Sequence, residues 1–316
     1  MKWLKKGLIY KPSGNLEWAK HSALTPTPIL INDDIIRVYA GFRDNEGVSR
    51  IGYVDVEARN PSNIVKISES PVLDIGDPGT FDDNGVILGD VLRVGKEIYM
   101  YYVGFQLARK VKFLAFTGLA ISSDNGETFR KISSVPILDR GENERYIAAI
   151  HSVIYEKGVW RAWYAAGDGW EIIDGKPFPR YNIRYLESLD GINFCSNRNQ
   201  SALCIDVQGD EYRIGRPRVY KINGIYRMFY TRGTTKGDYI AGYAESNDGV
   251  NWIRKDDKLG ITLSTHGWDS KALSYPSLLF YHDKAYMFYN GNEMGKDGFG
   301  YAELISLDEY YIEDKL

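Results

Sequence analysis

The segment Tyr99-Met100-Tyr101-Tyr102-Val103-Gly104 decides the fold, because the chain carries five copies of this pattern. Each copy is an apolar, aromatic stretch that ends in a tyrosine followed by small residues. We call these five the marker tyrosines: Tyr39, Tyr102, Tyr164, Tyr230 and Tyr289. The gaps between them are 63, 62, 66 and 59 residues. A nearly constant period of this length indicates one supersecondary unit repeated along the chain.

Each copy lies between further short strand patterns. One strand leads into the marker segment, and an alternating strand follows it. Three units then enter a turn rich in Ser, Asp and Gly, at residues 122–129, 188–194 and 246–252. In such a turn the aspartate accepts backbone hydrogen bonds and the glycine adopts positive φ, so we interpret it as structural. A fourth strand follows the turn.

Four short antiparallel strands per unit, in five units, predict an all-β fold, a five-bladed β-propeller. A β-sandwich is the alternative, but the strict period disfavours it. The predicted blades are blade 1 at about 20–75, blade 2 at about 80–140, blade 3 at about 144–206, blade 4 at about 210–265, and blade 5 at about 268–305 plus 1–12. The last unit lacks a fourth strand. The segment after Trp3 resembles the one after Trp252, so we expect the N-terminal strand to close the ring.

Composition agrees with this fold and narrows the function. The 316 residues include 24 Tyr, 12 Phe, 7 Trp and 32 Gly, which suits many strands joined by tight turns. The net charge is −3 and no basic stripe occurs, which argues against nucleic acid or a membrane surface as partner. The absence of a signal-type apolar run predicts a cytoplasmic protein. Cys195 and Cys204 either pair across a hairpin or stay reduced, and the expected compartment favours the reduced state.

Candidate site residues come from the repeat itself. In a propeller the residues just before each first strand gather at the mouth of a central channel. Counting back 19 or 20 residues from the markers reaches a carboxylate in four units, and in the first unit, which has a shorter hairpin, the corresponding place falls near a histidine. These positions are Asp82 and Asp83, Glu144, Asp210 and Glu211, Asp269, and His21. Convergent carboxylates suit glycosidic bond cleavage, which needs one protonated acid and one ionised group. Solvated loop acids are the structural alternative.

Basic and aromatic residues are expected at the same mouth. Arg43, Arg213, Arg216 and Arg232 suit an anionic ligand, and Trp170 suits a sugar face. His151 is interpreted either as a core histidine or as a central contact. Further candidates are the acids Asp44 and Glu293, and Tyr275 in the last blade. The four histidines show no zinc-type spacing, so we expect neither metal nor cofactor, with a structural channel ion as the alternative.

Two segments carry a family resemblance: Phe81-Asp82-Asp83-Asn84-Gly85-Val86 and Gly41-Phe42-Arg43-Asp44. With the five aromatic units, the chain resembles the five-bladed propeller glycosidases. These are the arabinanase, xylosidase and fructosidase superfamily, with its mannoside-phosphorylase relatives. The resemblance implies inward-facing acids on separate blades, and Asp83 matches one of them best. The first blade offers His21-Ser22-Ala23-Leu24 where an acid belongs. Either Asp44 replaces that acid or the hydrolytic set is incomplete.

Two functions remain from the sequence. The first is a glycoside hydrolase with Asp83 and either Glu144 or Glu211 as working carboxylates. The second is a non-hydrolytic protein on the same fold, which binds or transforms a phospho-sugar or nucleotide-sugar, or which performs phosphorolysis. A protein-binding scaffold is a weaker alternative, because scaffolds seldom gather acids at one mouth. The substrate sugar, the linkage and the oligomeric state stay open.

Overall fold

The computed structural model describes residues 1–194, 201–237 and 239–307, and most of them lie in β-strands. Helical structure there is limited to a 3₁₀ turn at Asp256–Lys258 and a helical turn at Asn292–Gly295. The all-β prediction is therefore confirmed. No helix in the described ranges is long and apolar enough to cross a membrane. Cys195 lies outside these ranges, and Cys204 is a free cysteine.

The strands follow the repeat, and each of the five units contributes four of them. First strands are β2 (His21–Asn32), β6 (Val86–Val94), β10 (Ile147–Glu156), β14 (Glu211–Ile222) and β18 (Ser274–Tyr281). Marker strands are β3 (Ile35–Arg43), β7 (Glu97–Leu107), β11 (Val159–Ile173), β15 (Ile225–Thr234) and β19 (Lys284–Asn290). Third strands are β4 (Ser49–Glu57), β8 (Phe113–Ser122), β12 (Lys176–Ser188), β16 (Tyr239–Ser246) and β20 (Phe299–Ser306). Fourth strands are β5 (Ile64–Ile67), β9 (Arg130–Lys131), β13 (Ala202–Ile205), β17 (Ile253–Arg254) and β1 (Lys2–Tyr10).

Within each unit the four strands pair antiparallel in repeat order, and all five marker tyrosines are fully buried in the middle of their sheets. The sheets of neighbouring units are joined at two places. Short parallel contacts join β8 to β10 and β12 to β14, so three units form one sheet of twelve strands. Both contacts lie where a first strand begins, because neighbouring sheets converge at that end. The arrangement of the sheets around one axis stays a prediction.

The Ser-Asp-Gly turns have the structural role expected of them. The Asp190 carboxylate accepts hydrogen bonds of 2.8 Å from the amides of Ile192 and Asn193, and Gly191 has φ 73°. The turn carbonyls also bind the preceding unit. Tyr101 donates to the Gly191 carbonyl at 2.8 Å, and Trp163 donates to the corresponding Gly249 carbonyl at 2.8 Å. These turns therefore connect one unit to the unit before it.

The N-terminal strand β1 pairs with β20, as expected for the fourth strand of the last unit. Trp3 anchors this strand from within the core. Its side chain is 8% exposed and meets the ring of Phe229 edge-on at 6.4 Å. Its indole Nε1 donates to the Leu259 carbonyl at 3.0 Å. The chain start is therefore held both by backbone pairing and by a buried aromatic side chain.

Replacing Trp3 by alanine tests how much this strand stabilises the fold. We expect Trp3→Ala to lower the free energy of unfolding by about 3–5 kcal/mol, because the large cavity left in the core cannot close fully. Denaturant unfolding measures the change. The matched control is Leu4→Ala, since Leu4 is the next residue and is 50% exposed. Equal destabilisation by both variants would contradict the anchoring role of Trp3.

Candidate functional site

All five first strands carry a β-bulge at an equivalent point. The register shifts between Leu24 and Thr27, Leu88 and Asp90, Ile150 and Ser152, Gly215 and Arg218, and Ser274 and Ser277. Three bulge residues adopt left-handed backbone, namely Thr25 (φ 55°), Arg216 (φ 54°) and Tyr275 (φ 56°). A bulge re-aims a side chain out of the ladder, and strained non-glycine backbone concentrates at functional sites. The bulges therefore mark the shared end of the sheets.

Arg216 joins four first strands through its guanidinium. Its Nη1 donates to the carbonyls of Leu88 and Gly89, the latter at 2.8 Å, and lies 3.1 Å from Nδ1 of His151. Its Nη2 donates to Thr27 Oγ1 at 2.8 Å and to the Thr25 carbonyl at 3.3 Å. Burial, followed by the charge of Arg218, lowers the pKa of Arg216 to about 9. The group remains a cation at neutral pH.

His151 lies next to this guanidinium and is nearly buried. Burial is the main reason that its pKa falls well below the ordinary value, and the charges of Arg216 and Arg218 add to the effect. Its imidazole is therefore neutral. Arg218 pairs with Asp90, whose second oxygen accepts the Val153 amide at 2.7 Å. Beside Arg216, His151 is a neutral neighbour and Arg218 is a compensated cation.

Beside the bulges lies what we call the tyrosine–arginine cluster, formed by Arg43, Tyr181, Arg213, Tyr239 and Tyr275. The guanidinium carbon of Arg213 lies 4.2 Å from the centre of the Tyr239 ring, and the rings of Tyr239 and Tyr275 are 5.7 Å apart. Tyr275 is fixed by a hydrogen bond from its amide to Thr231 Oγ1 at 2.8 Å. Burial raises the pKa of the Tyr275 phenol, and the positive charges of Arg213, Arg43 and Arg216 act on it and lower its pKa by a smaller amount.

Gly215 lets Tyr181 reach this cluster. A Cβ at position 215 would lie 2.7 Å from the Tyr181 ring, so a larger residue would push the ring away. Tyr181 pairs with Arg213 across the short parallel contact between β12 and β14. The third strand β12 and the first strand β14 thus bring the Tyr181 phenol and the Arg213 guanidinium together.

The arginines of this site have free donors. The Nε atoms of Arg43, Arg213 and Arg216 are buried and lack a hydrogen-bond partner among the described residues. Nor does any of the three guanidinium groups form an ion pair with a carboxylate in the part of the chain that the structure describes. Buried donors are nearly always satisfied in folded proteins. Three such donors at one end of the sheets indicate a place for an anionic or hydrogen-bond-accepting ligand.

The tyrosines keep their protons. Burial raises the pKa of Tyr239 well above the ordinary value, and the neighbouring Tyr181 and Tyr275 raise it further. Burial likewise raises the pKa of Tyr275. Protonated phenols can donate hydrogen bonds to an anion. The cluster therefore offers positive charge and donors, and its own side chains include no carboxylate.

Two of the expected mouth acids hold the marker tyrosines. Asp82 is buried, accepts a 3.0 Å hydrogen bond from Tyr102 and pairs with Lys131 at 2.6 Å. Asp269 repeats this arrangement with Tyr289 at 3.0 Å and Lys5 at 2.6 Å. The counting rule thus finds equivalent positions, and the contacts at these two positions stabilise the sheets.

Glu211 is also bound within the protein. Arg254 donates to its two oxygens at 2.8 and 2.7 Å, and Arg232 lies 3.3 Å away. Desolvation is the largest influence on its pKa and raises it, but the hydrogen bonds from Arg254, Gln208 and Arg232 together outweigh it, and the pKa is lowered. Glu211 is therefore ionised and committed to two arginines. Arg232, expected as a ligand contact, has this carboxylate as its partner.

Asp44 has a comparable local role. Its carboxylate accepts the amides of Glu46 and Val48 at 3.0 Å each and pairs with Arg50 at 2.8 Å. Desolvation raises its pKa, but the bonds from Arg50 and the two amides lower it more. This is a turn stabilised by an aspartate. The Asp44 carboxylate is thus neither protonated nor free at neutral pH.

Asp83 is the expected acid that keeps an available oxygen. Its Oδ2 accepts the Gly79 amide at 2.8 Å, and the side chain is half-buried. It lines an open groove of about 360 Å³ together with Asn84 and Gln106. The residues of the tyrosine–arginine cluster are not among those that line this groove. Asp83 therefore belongs to a groove that is separate from the tyrosine–arginine cluster.

The remaining expected residues occupy different surroundings. Glu144 is 1% exposed, and its backbone pairs with Gly141. Trp170 meets Phe113 and Tyr146 edge-on, at 5.6 and 6.1 Å. His21 lies opposite Arg43 in the β2–β3 pair, with its Nδ1 2.9 Å from Ser22 Oγ. Glu293 is exposed and pairs with Lys296 at 3.0 Å. The described residues contain no group of three or more His, Cys, Asp or Glu that could hold a metal ion.

Sequence reasoning missed Tyr181 and Tyr239. They occupy equivalent places in the third and fourth units, each four residues before a tyrosine of the same third strand, Tyr185 on β12 and Tyr243 on β16. Their equivalence was a usable signal, since two neighbouring units place the same residue type at the same point of the repeat. The counting rule overlooked them because it considered only residues before the first strands.

Comparisons with known proteins find a relative that matches nearly the whole chain and solved structures of similar fold. No family model matches it. The uncharacterized protein Rv1502 of Mycobacterium tuberculosis is 34% identical over 305 residues, which cover 96% of this chain and 99% of that protein. A 1,2-beta-oligomannan phosphorylase of Thermoanaerobacter sp. is 32% identical over 132 residues, 40% of this chain and 44% of that protein.

Solved structures of similar fold agree with this. A glycoside hydrolase has a TM-score of 0.73 at 18% identity, covering 96% of this chain and 92% of its own. A structure from the GH130 family of mannoside phosphorylases has a TM-score of 0.66 at 16% identity, covering 95% of this chain and 93% of its own. The resemblance expected from the sequence is confirmed at the level of the fold.

The ion pairing of Glu211 predicts a structural role that a mutant can reveal. We expect Glu211→Gln to lower the free energy of unfolding by roughly 3 kcal/mol, because it leaves two arginines without their carboxylate. Since the folded pKa of Glu211 is lowered, its contribution should be present above the unfolded pKa and be lost as pH falls through the folded one. Unfolding at pH 7 and at acidic pH measures both. Asp210→Asn is the control, since Asp210 is the adjacent acid and is exposed. A stable Glu211→Gln protein would contradict this role.

Proposed function

The chain belongs to the family of the uncharacterized protein Rv1502 of Mycobacterium tuberculosis, and we propose that it is a carbohydrate-active enzyme that recognises an anionic group at its tyrosine–arginine cluster. The observation that carries the proposal is that Arg43, Arg213 and Arg216 each have a buried Nε without a hydrogen-bond partner and no carboxylate partner among the described residues. Structures of the same fold include glycoside hydrolases and mannoside phosphorylases, which supports a sugar as the rest of the ligand. A shared fold does not establish a function, so the proposal depends on the residues of the cluster.

The proposal includes the finer architecture. The five antiparallel units would be the blades of one propeller, with the blade boundaries given above and with β1 closing the ring. The bulges would then line a central channel, and the cluster would lie at its mouth. We also propose a cytoplasmic protein that has neither nucleic acid nor membrane as partner and that needs no cofactor.

The chemistry that fits this cluster is group transfer supported by anion binding. Guanidinium and phenol donors aimed at a negatively charged group stabilise charge that develops on it during reaction. In phosphorolysis, a phosphate oxygen forms a bond to the anomeric carbon while the glycosidic bond breaks, and one acid gives a proton to the departing sugar oxygen. The phosphate thus replaces the second carboxylate. Hydrolysis instead needs two carboxylates on either side of the bond. Glu211 and Asp44 are both paired with arginines, so non-hydrolytic chemistry is favoured.

Hydrolysis is the second candidate, and Asp83 supports it. This carboxylate lies in an open groove and uses only one of its oxygens within the protein. A half-buried acid of this kind could donate a proton to a leaving sugar. The hydrolytic partner acid would then come from a position that the repeat counting did not find.

Removing a cluster arginine should abolish anion recognition without harming the fold. We expect Arg213→Gln to lose the thermal stabilisation that a sugar phosphate gives to the native protein. The unfolding temperature without ligand should change little, because the loss of the cation–π contact with Tyr239 is offset by removal of a cation that has no carboxylate partner among the described residues. Arg93→Gln is the control, since Arg93 is exposed and bonds to Asn125 away from the cluster. Unchanged ligand stabilisation in Arg213→Gln would contradict the proposed site.

Asp83→Asn distinguishes the two reaction types. With a panel of aryl glycosides, oligosaccharides and sugar phosphates, we expect turnover that depends on added phosphate or on a phosphorylated sugar. Chromatography of the products reads this out directly. Release of free sugar in phosphate-free buffer, lost in Asp83→Asn with folding intact, would instead establish hydrolysis. The exposed Asp210→Asn is again a suitable control for a carboxylate change.

A further inference from the structure

Among the described residues, the other buried arginines are paired with carboxylates. Arg37 pairs with Asp55 at 2.7 Å, Arg218 pairs with Asp90, and Arg227 pairs with Glu245 at 2.9 Å. The chain therefore solves the cost of a buried cation in the usual way when the arginine is structural. Arg43, Arg213 and Arg216 depart from this rule in the described part of the chain.

The positive charge of the three arginines converges on one place. All three act electrostatically on the Tyr275 phenol. The Tyr275 ring lies 5.7 Å from the Tyr239 ring, and the guanidinium carbon of Arg213 lies 4.2 Å from the centre of that Tyr239 ring. Arg216 is held by carbonyl and hydroxyl oxygens, which carry no net charge. His151 beside it is neutral for the reasons given above. The described residues around Tyr275 thus leave about three positive charges without a counter-charge.

A single carboxylate would neutralise only one of these charges. A phosphoryl group carries about −1.5 to −2 charge near neutral pH and has three acceptor oxygens. Arginine binds phosphate through parallel N–H donors, and two arginines on different strands can take different oxygens. The tyrosines add donors and no competing negative charge, since burial keeps them protonated.

We infer that the tyrosine–arginine cluster binds a phosphoryl group in its dianionic form, with Arg43 and Arg213 as its two principal contacts. This inference rests on the proposed function and names the ligand of the same site. The phosphoryl group belongs either to a phosphorylated sugar or to free inorganic phosphate. Both sources present the same dianion to the arginines, and the binding experiment separates them.

The pH dependence of binding tests the dianion. The second pKa of a phosphate monoester is about 6, so the dianionic fraction falls roughly tenfold between pH 7.5 and pH 5. We expect the Kd of a sugar phosphate, measured by calorimetry, to rise by roughly the same factor. A uronic acid is ionised throughout this range, so its Kd should stay constant and be weaker at pH 7.5.

The groups facing the ligand are Arg43 on β3, Tyr181 on β12, Arg213 and Arg216 on β14, Tyr239 on β16 and Tyr275 on β18. His21 on β2 lies opposite Arg43, and His151 on β10 contacts Arg216. The titration is therefore repeated with His21→Gln, which removes any contribution of that imidazole. The same pH profile in this variant assigns the dependence to the ligand, whereas a flat profile there would overturn the assignment.

The probes are glucose 1-phosphate, mannose 1-phosphate, glucuronic acid, inorganic phosphate and the neutral sugars. Binding of a sugar phosphate or of inorganic phosphate that follows the dianionic fraction of that ligand, which falls more steeply for inorganic phosphate, and that is lost in both Arg43→Gln and Arg213→Gln, supports the inference and identifies the source. Stronger binding of glucuronic acid would overturn the dianion and leave the proposed function intact. Binding of neutral sugars alone, unaffected by either arginine variant, would overturn both. The Arg93→Gln control should bind like the native protein.

Discussion

The guanidinium of Arg216 is the constraint around which the first strands are organised. It binds backbone oxygens from β2 and β6, lies against His151 of β10 and belongs to β14, so a single side chain spans four units. These contacts require each strand to turn its bulge toward the same place. The left-handed backbone at Thr25 and Arg216 is maintained by this shared network, and that at Tyr275 by the hydrogen bond from its amide to Thr231 Oγ1. The cluster of tyrosines and arginines is a consequence of that convergence, because the same bulges position Tyr275 and orient the start of β14.

Around this centre the repeat uses two further devices. Turn carbonyls such as Gly191 receive hydrogen bonds from aromatic side chains of the preceding sheet. Aspartates before the first strands, Asp82 and Asp269, bind the buried marker tyrosine of their own unit and a lysine from a fourth strand. Both devices satisfy polar groups inside an aromatic core, where an unpaired hydroxyl or carboxylate would be costly. They explain why tyrosine, rather than phenylalanine, is the marker at positions 39, 102 and 289.

The sequence predicted the repeat well, because period and alternation depend on short segments read locally. It located Arg43, Arg216, His151 and Tyr275 for the same reason, since each holds a fixed place in the repeat. The roles of the acids were not predictable in this way. Glu211 is bound by Arg254, which lies 43 residues further along the chain, and no local pattern reports such a contact. The bulges are equally hidden, because a register shift depends on the partner strand. Tyr181 and Tyr239 needed a comparison of third strands between units.

We distinguish charged side chains that stabilise the fold from those proposed to bind a ligand by whether each has an ion-pair partner. Acids found by the counting rule are held by lysine or arginine at Asp82, Glu211 and Asp269, and these pairs stabilise the sheets. Arg43 and Arg213 have no such partner among the described residues. At Arg43, burial lowers the pKa, which indicates that the charged guanidinium is unfavourable there without a partner. A folded protein tolerates such a cost mainly where a ligand later removes it. For this reason we base the proposed site on the arginines that lack a carboxylate partner among the described residues, and not on the gathered carboxylates.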